Sequence, residues 1–145
     1  MQNSKCCLLT IYGRPVSKKN NARIVRFGGR YSILPSKAYS KYEKECLEFL
    51  KTAPYRFGDS YVSVACKYWL PDHRWFPDLT NLLNATDDIL EKAGIIDNDK
   101  FIVSHDGSRI EGFDKKRPRV EIFIRAIPDH KYAEVNYEQQ KTVKR

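Results

Sequence analysis

No apolar run in the 145-residue chain approaches the roughly 18 residues that a membrane span needs, so no membrane association is expected. No Gly-x-x-x-x-Gly-Lys-Ser/Thr or Gly-x-Gly-x-x-Gly loop is present, and no nucleotide cofactor is expected. Cysteine is scarce: Cys6, Cys7, Cys46 and Cys66 form no Cys-x-x-Cys pair, and His73, His105 and His130 fall at no ligand spacing from them. A zinc site and a disulfide framework are therefore both set aside, and the thiols read as reduced. The polar Met1–Lys5 segment lacks the apolar core of a secretion signal, which leads to the expectation of a cytoplasmic protein. There is no internal repeat and no low-complexity stretch.

Acidic residues are missing altogether before Glu43. Residues 1–42 carry nine basic side chains, whereas the rest of the chain carries 17 basic and 18 acidic groups. The whole net charge of +8 thus comes from the first third. Charge segregated in this way is the footprint of a polyanion binder, and nucleic acid is the commonest polyanion. A basic face kept only for solubility is the plainer alternative. At 41% hydrophobic residues the chain has enough apolar material for a core.

The periodicities predict an α+β fold, a single domain with a mixed β-sheet and two main helices, in the order β-β-β-α-β-α-β-β. Strands are expected at Cys7–Tyr12, in a hairpin of Arg23–Phe27 and Arg30–Leu34 around Gly28-Gly29, at Tyr61–Leu70, over Ile95–Ser104 and at Arg119–Ile127. The first helix opens at Ser36 as N-cap and runs to about Lys51, with Tyr39, Tyr42, Cys46, Phe49 and Leu50 as its core stripe. The second runs from about Asp78 to Ala93 and stops at Gly94. The domain is placed at residues 1–127, followed by a polar tail at 128–145.

The second helix carries the most informative pattern. Leu79, Leu82, Leu83, Thr86, Ile89 and Leu90 share one face, and Asp78, Asn81, Ala85 and Asp88 share another. Carboxylates that face phosphates repel them unless a cation lies between, and hard ions such as Mg²⁺ take oxygen ligands. A basic surface with a small acidic cluster therefore reads as a metal-dependent nuclease. A solvated helix face with Asp at its start explains the same residues more plainly. Asp78 and Asp88 lie about 15 Å apart along the helix and cannot share one ion, so a partner from another element is needed. Asp99 is the natural candidate, because the chain turns at Gly94, although sequence does not show whether it reaches Asp78 or only Asp88.

The stretch Pro77-Asp-Leu-Thr-Asn-Leu-Leu-Asn-Ala-Thr-Asp-Asp-Ile-Leu-Glu-Lys-Ala-Gly-Ile-Ile-Asp-Asn-Asp99 resembles the core of the RusA family of Holliday-junction resolvases. That core reads Asp-Leu-Asp-Asn, then Lys, then Asp-x-Leu, then Gly and a closing Asp-Asp pair. Gly13-Arg-Pro-Val-Ser-Lys-Lys-Asn20 and Ser36-Lys-Ala-Tyr39 are similar to the family's basic loop and helix start, and the resemblance extends over about residues 8–127. It implies a RusA-like fold and a homodimer, often from a phage or prophage. Such a dimer cuts four-way or otherwise branched DNA with Mg²⁺ (Mn²⁺ as a substitute) in recombination and repair.

The resemblance also implies the site. Of the family's three essential aspartates, the first falls on Asp78 and the last on Asp99, which would hold the metal. The middle one falls on Thr80. Asn81 matches the motif asparagine and Asp88 the helix aspartate, both as supporting residues. The family lysine falls on Asn84, and Asn98 replaces the first member of the closing pair. Lys18, Lys19, Arg23, Arg26 and Arg30 would contact backbone phosphates. Two other readings stand beside this one. The Thr80 and Asn84 departures suit a junction-binding protein with weakened catalysis. Pro77-Asp78 with Asp114-Lys-Lys116 fits a nuclease of the Pro-Asp…Asp/Glu-x-Lys type, although Asp114 falls in an irregular loop.

Overall fold

A computed structural model describes residues 5–18, 23–34 and 36–128. Lys19 and, apart from Pro128, the expected tail lie outside the described residues. Strands β1 (Cys6–Tyr12), β4 (Val62–Leu70), β5 (Ile102–Ser104), β6 (Arg109–Phe113) and β7 (Arg119–Ala126) form one mixed sheet, and β2 (Arg23–Phe27) and β3 (Arg30–Leu34) form a separate hairpin. Helix α1 spans Lys37–Leu50 and α2 spans Leu79–Lys92. The α+β class and the two helices agree with the periodicity.

β4 is the central strand. It pairs antiparallel with β7, which pairs antiparallel with β1. Its other edge pairs in parallel with β5 near Val62 and with β6 from Lys67 to Leu70. Alternation puts Val62, Val64, Cys66, Tyr68 and Leu70 on the buried face, joined by Leu9 and Ile11 of β1 and by Val120, Ile122 and Ile124 of β7. Both helices supply side chains to that core: Tyr39, Tyr42, Cys46 and Leu50 from α1, and Leu82, Ala85, Ile89 and Leu90 from α2. Burial pushes the Cys66 thiol up to about 12 and the Cys46 thiol up to about 11. Both stay protonated near neutrality and act as small apolar residues.

Three expectations need correcting. Phe49, placed in the α1 stripe, is 39% exposed, because it lies at the edge of the arc that Tyr42, Cys46 and Leu50 bury. The predicted extended segment Ile95–Ser104 is mostly not strand: a 3₁₀ turn at Asp99–Phe101 leaves only Ile102–Ser104 paired. Strand β6 was not anticipated. Its sequence, Arg-Ile-Glu-Gly-Phe, is too polar to announce a strand, and only its place against the second half of β4 makes it one.

β4, α2 and β5 form a βαβ crossover. The chain leaves β4 at Leu70, loops through residues 71–77, and returns along α2 to the end of the sheet where β4 began. Asp78, at the start of α2, and Asp99, just before β5, therefore lie at opposite ends of this unit.

Candidate active site

Asp78 holds the N-cap position of α2 with extended backbone angles, yet its carboxylate makes no capping hydrogen bond. Instead, the backbone N–H groups of Asn81 and Leu82 both donate to the Asp78 carbonyl, each at 3.1 Å. An aspartate at this position ordinarily accepts from the second or third helical N–H. Here the carboxylate stays exposed, and Asn81 Nδ2 donates to its Oδ2 at 3.3 Å. Asn81 is itself buried, held in the first turn of α2 beside Leu82. The face assigned to Asp78, Asn81, Ala85 and Asp88 is thus not a continuous solvated acidic face, because Asn81 and Ala85 belong to the interior. Their packing fixes how Asp78 is presented, and the partly positive N-terminus of the helix stabilises its charge.

Thr80 is exposed on the first turn of α2, and Asn84 is exposed one turn later. Asp88 is half-buried, and Lys18 Nζ donates to its Oδ2 at 2.9 Å. Lys18 also lies 5.5 Å from the ring of Tyr39 on α1. This links the loop after β1 to both helices, and it commits one predicted DNA contact and one predicted supporting carboxylate to each other.

Asp99 is exposed and opens the 3₁₀ turn. Its N–H donates to Glu91 Oε1 at 3.2 Å, and its charge is felt by Asp87. The chain does run back along α2 after Gly94, but only as far as this last stretch of the helix. Thirteen residues separate Asp78 from Glu91, about 20 Å of helix rise. Within one chain, then, Asp78 and Asn81 are brought together, and Asp99 joins Glu91 and Asp87 at a second place. Among the described residues, no three His, Cys, Asp or Glu side chains gather as a metal cluster.

Of the proposed phosphate contacts, Arg26 and Arg30 are exposed on the β2–β3 hairpin, with Arg26 5.7 Å from the Tyr31 ring. The side chain of Arg23 lies outside the described residues. Asp114, the key to the Pro-Asp…Asp-x-Lys alternative, serves as a turn holder. It accepts from the N–H groups of Lys116 and Arg117 and from Arg119 Nη1 at 3.0–3.2 Å, and these bonds lower its carboxyl below the usual range. Arg119 in turn lies 4.0 Å from the Trp69 ring.

Sequence reasoning missed a further pair. Asp87 Oδ2 and His105 Nε2 approach within 2.8 Å, joining α2 to the residue that follows β5. Asp87 follows Thr86 and precedes Asp88 on the helix, and nothing in its spacing from His105 signals the contact.

The sequence matches the family described as Endodeoxyribonuclease RusA over residues 13–125. The chain belongs to the RusA endodeoxyribonuclease family. The match spans the loop after β1, both helices and all but the end of β7, so it takes in Asp78, Asn81, Asp88 and Asp99. No curated protein matches the chain. The carboxylate at the head of α2 thus lies within the part of the chain that matches an endodeoxyribonuclease family. No helix among the described residues is long and apolar enough to cross a membrane.

Proposed function

We propose that the chain is a Mg²⁺-dependent, structure-selective DNA endonuclease. It would act as a homodimer and resolve four-way junctions during recombination and repair. The observation that carries this reading is the Asp78 carboxylate. It sits at a helix N-cap without capping, exposed, and steered by a buried Asn81.

The donors fit Mg²⁺ in a sparse way. Mg²⁺ prefers hard oxygen ligands and often takes only one or two carboxylates, with water and substrate phosphate completing its shell. Among the described residues Asp78 Oδ1 has no hydrogen-bond partner, and Asp99 offers a second exposed carboxylate. Because one chain holds them at opposite ends of α2, an ion shared by both requires Asp99 from a second copy. Held there, Mg²⁺ would supply charge neutralisation and activation of water for phosphodiester hydrolysis, which would leave a 3′-hydroxyl and a 5′-phosphate.

The protein's own part is positioning. Asn81 orients Asp78, and the start of α2 favours negative charge there. Arg26 and Arg30, with Lys18, Lys19 and Arg23, would hold the strands by their phosphates without reading sequence. Two active sites related by a two-fold axis suit the symmetric cuts that a four-way junction needs.

The test is a nicking assay on a synthetic four-way junction with and without Mg²⁺, set beside the Asp78→Asn variant. Cutting that needs both the ion and Asp78 supports the reading, and ion-dependent cutting by the variant refutes it. A second reading, junction binding with weakened catalysis, is favoured by exposed Thr80 and Asn84 where the family motif has Asp and Lys. It predicts tight, salt-sensitive junction binding and no cleavage in either Mg²⁺ or Mn²⁺.

A further inference from the structure

The loop that delivers Asp78 carries an aromatic surface that the proposed chemistry leaves unused. Trp75 is 82% exposed, and Phe76 beside it is 57% exposed. Trp75 adopts a φ of 54°, the one positive value at a non-glycine residue in the described chain. For a bulky side chain this is a rare conformation, kept only where the surroundings enforce it. They do so from both sides. Arg74 N–H donates to Asp72 Oδ1 at 2.8 Å, and Arg14 Nη2 donates to the Arg74 carbonyl at 3.5 Å. Phe76 lies 6.2 Å from Phe113, whose other neighbour is His73 at 3.8 Å between ring centres. Trp75 itself stacks on no other ring among the described residues.

A pocket of about 400 Å³ opens here, lined by Arg14, Val16, Ala38, Trp75, Phe76 and Pro77. That volume lies in the range of small-ligand sites. Pro77 is followed directly by Asp78. A second hollow, whose Gly13 precedes Arg14 in the chain, is lined by Tyr12, Lys116 and Arg117. The pocket therefore combines flat aromatic walls with the guanidinium of Arg14.

We infer that this pocket receives one unpaired nucleobase at the branch point of the DNA, stacked on Trp75, with its phosphate against Arg14. Aromatic faces and cationic groups together are the chemistry that takes single-stranded bases without reading their sequence. A duplex keeps its bases paired, whereas bases at the centre of a junction leave the stack at lower cost. A stacked base would give selectivity for branched over continuous DNA and would place its backbone beside Asp78. The inference rests on the junction reading above.

The experiment uses the full chain with Asp78→Asn, so that DNA is bound and not cut. Affinity is measured for a four-way junction carrying 2-aminopurine at the branch and for a duplex of the same sequence. Adding Trp75→Ala should weaken junction binding by roughly five- to a hundredfold, the range for one stacked base, with duplex binding unchanged. The change in 2-aminopurine emission on binding should vanish in Trp75→Ala and persist in Trp75→Phe. Equal losses on junction and duplex, or no loss, would overturn the inference. So would a loss of dimer by sedimentation in Trp75→Ala, which would assign the patch to a second copy. A chain that cuts junctions while Trp75→Ala cuts and binds like wild type removes this inference alone. A chain that binds no branched DNA removes the junction reading as well.

Discussion

His105 sits between an acceptor that cannot give up a proton and one that can hold it: Nδ1 lies 2.8 Å from the Val64 carbonyl, and Nε2 lies 2.8 Å from Asp87 Oδ2. The carbonyl only accepts, so Nδ1 carries a hydrogen. The imidazole can then face the carboxylate favourably only if a second proton lies between Nε2 and Oδ2. The hydrogen bond to Asp87 raises the His105 pKa above its ordinary 6.5, and burial raises that of Asp87. The native state thus holds a proton that the unfolded chain releases more readily.

Stability should therefore fall with alkalinity. A raised histidine contributes stability that is complete below the unfolded value and is lost as pH climbs through the folded one, and the raised Asp87 acts in the same sense. Urea unfolding between pH 5.5 and 8.5 should show a decreasing free energy in wild type and a flatter profile in His105→Gln. Identical slopes in the two proteins would contradict this account.

Replacing Asp78 by Asn removes a charge without changing shape. Mg²⁺-dependent nicking of a four-way junction should drop by at least about a hundredfold, in keeping with loss of a metal-holding group, while gel-shift affinity for the junction is kept. A parallel loss of binding would mean that Asp78 serves the fold instead.

The placement of Asp99 at the far end of α2 makes a sharper prediction. Asp78→Asn and Asp99→Asn should each be inactive alone. Mixed and allowed to exchange subunits, they should nick one strand of a junction without the paired second cut, because only one composite site per dimer is intact. If mixing restores nothing, the ion does not bridge the two copies.

Arg26 and Arg30 are exposed on the hairpin. Changing both to Ala should weaken junction and duplex binding alike and reduce the salt slope by about two, since each phosphate contact contributes roughly 0.9. A loss confined to junctions would argue that the hairpin recognises shape.

Inside the core, Thr86 Oγ1 donates to the Leu82 carbonyl at 2.9 Å, so the 2.6 Å contact with Tyr68 must have the tyrosine hydroxyl as donor. Tyr68→Phe should therefore cost about 1–2 kcal/mol in denaturant titrations, the cost of one buried hydrogen bond. By contrast, Lys18→Ala should change stability by less than about 1 kcal/mol, because its pair with Asp88 is more than a third exposed on each side.

Much of this architecture is legible one residue at a time. Strict alternation over Val62–Leu70 announced the central strand, and the 3.6-residue recurrence of Leu82, Thr86, Ile89 and Leu90 announced the buried side of α2. Such periodicities survive folding because each follows from the geometry of a single element. β6 could not be read in this way, since its polar sequence becomes a strand only where β4 offers it a free edge. The partnership of Asp87 with His105 was equally hidden, as it joins a helix to the end of a strand 18 positions away.

The amino-acid order alone settled the segregation of charge, the two helices, the central strand and the family motif with its departures at Thr80 and Asn84. The tertiary structure decided where the carboxylates stand: Asp78 exposed over a buried Asn81, and Asp99 carried by the crossover to the other end of α2. Spacing along a chain governs which side chains share one helix or strand. Distances between elements depend on how the sheet and helices pack, and no local pattern records that.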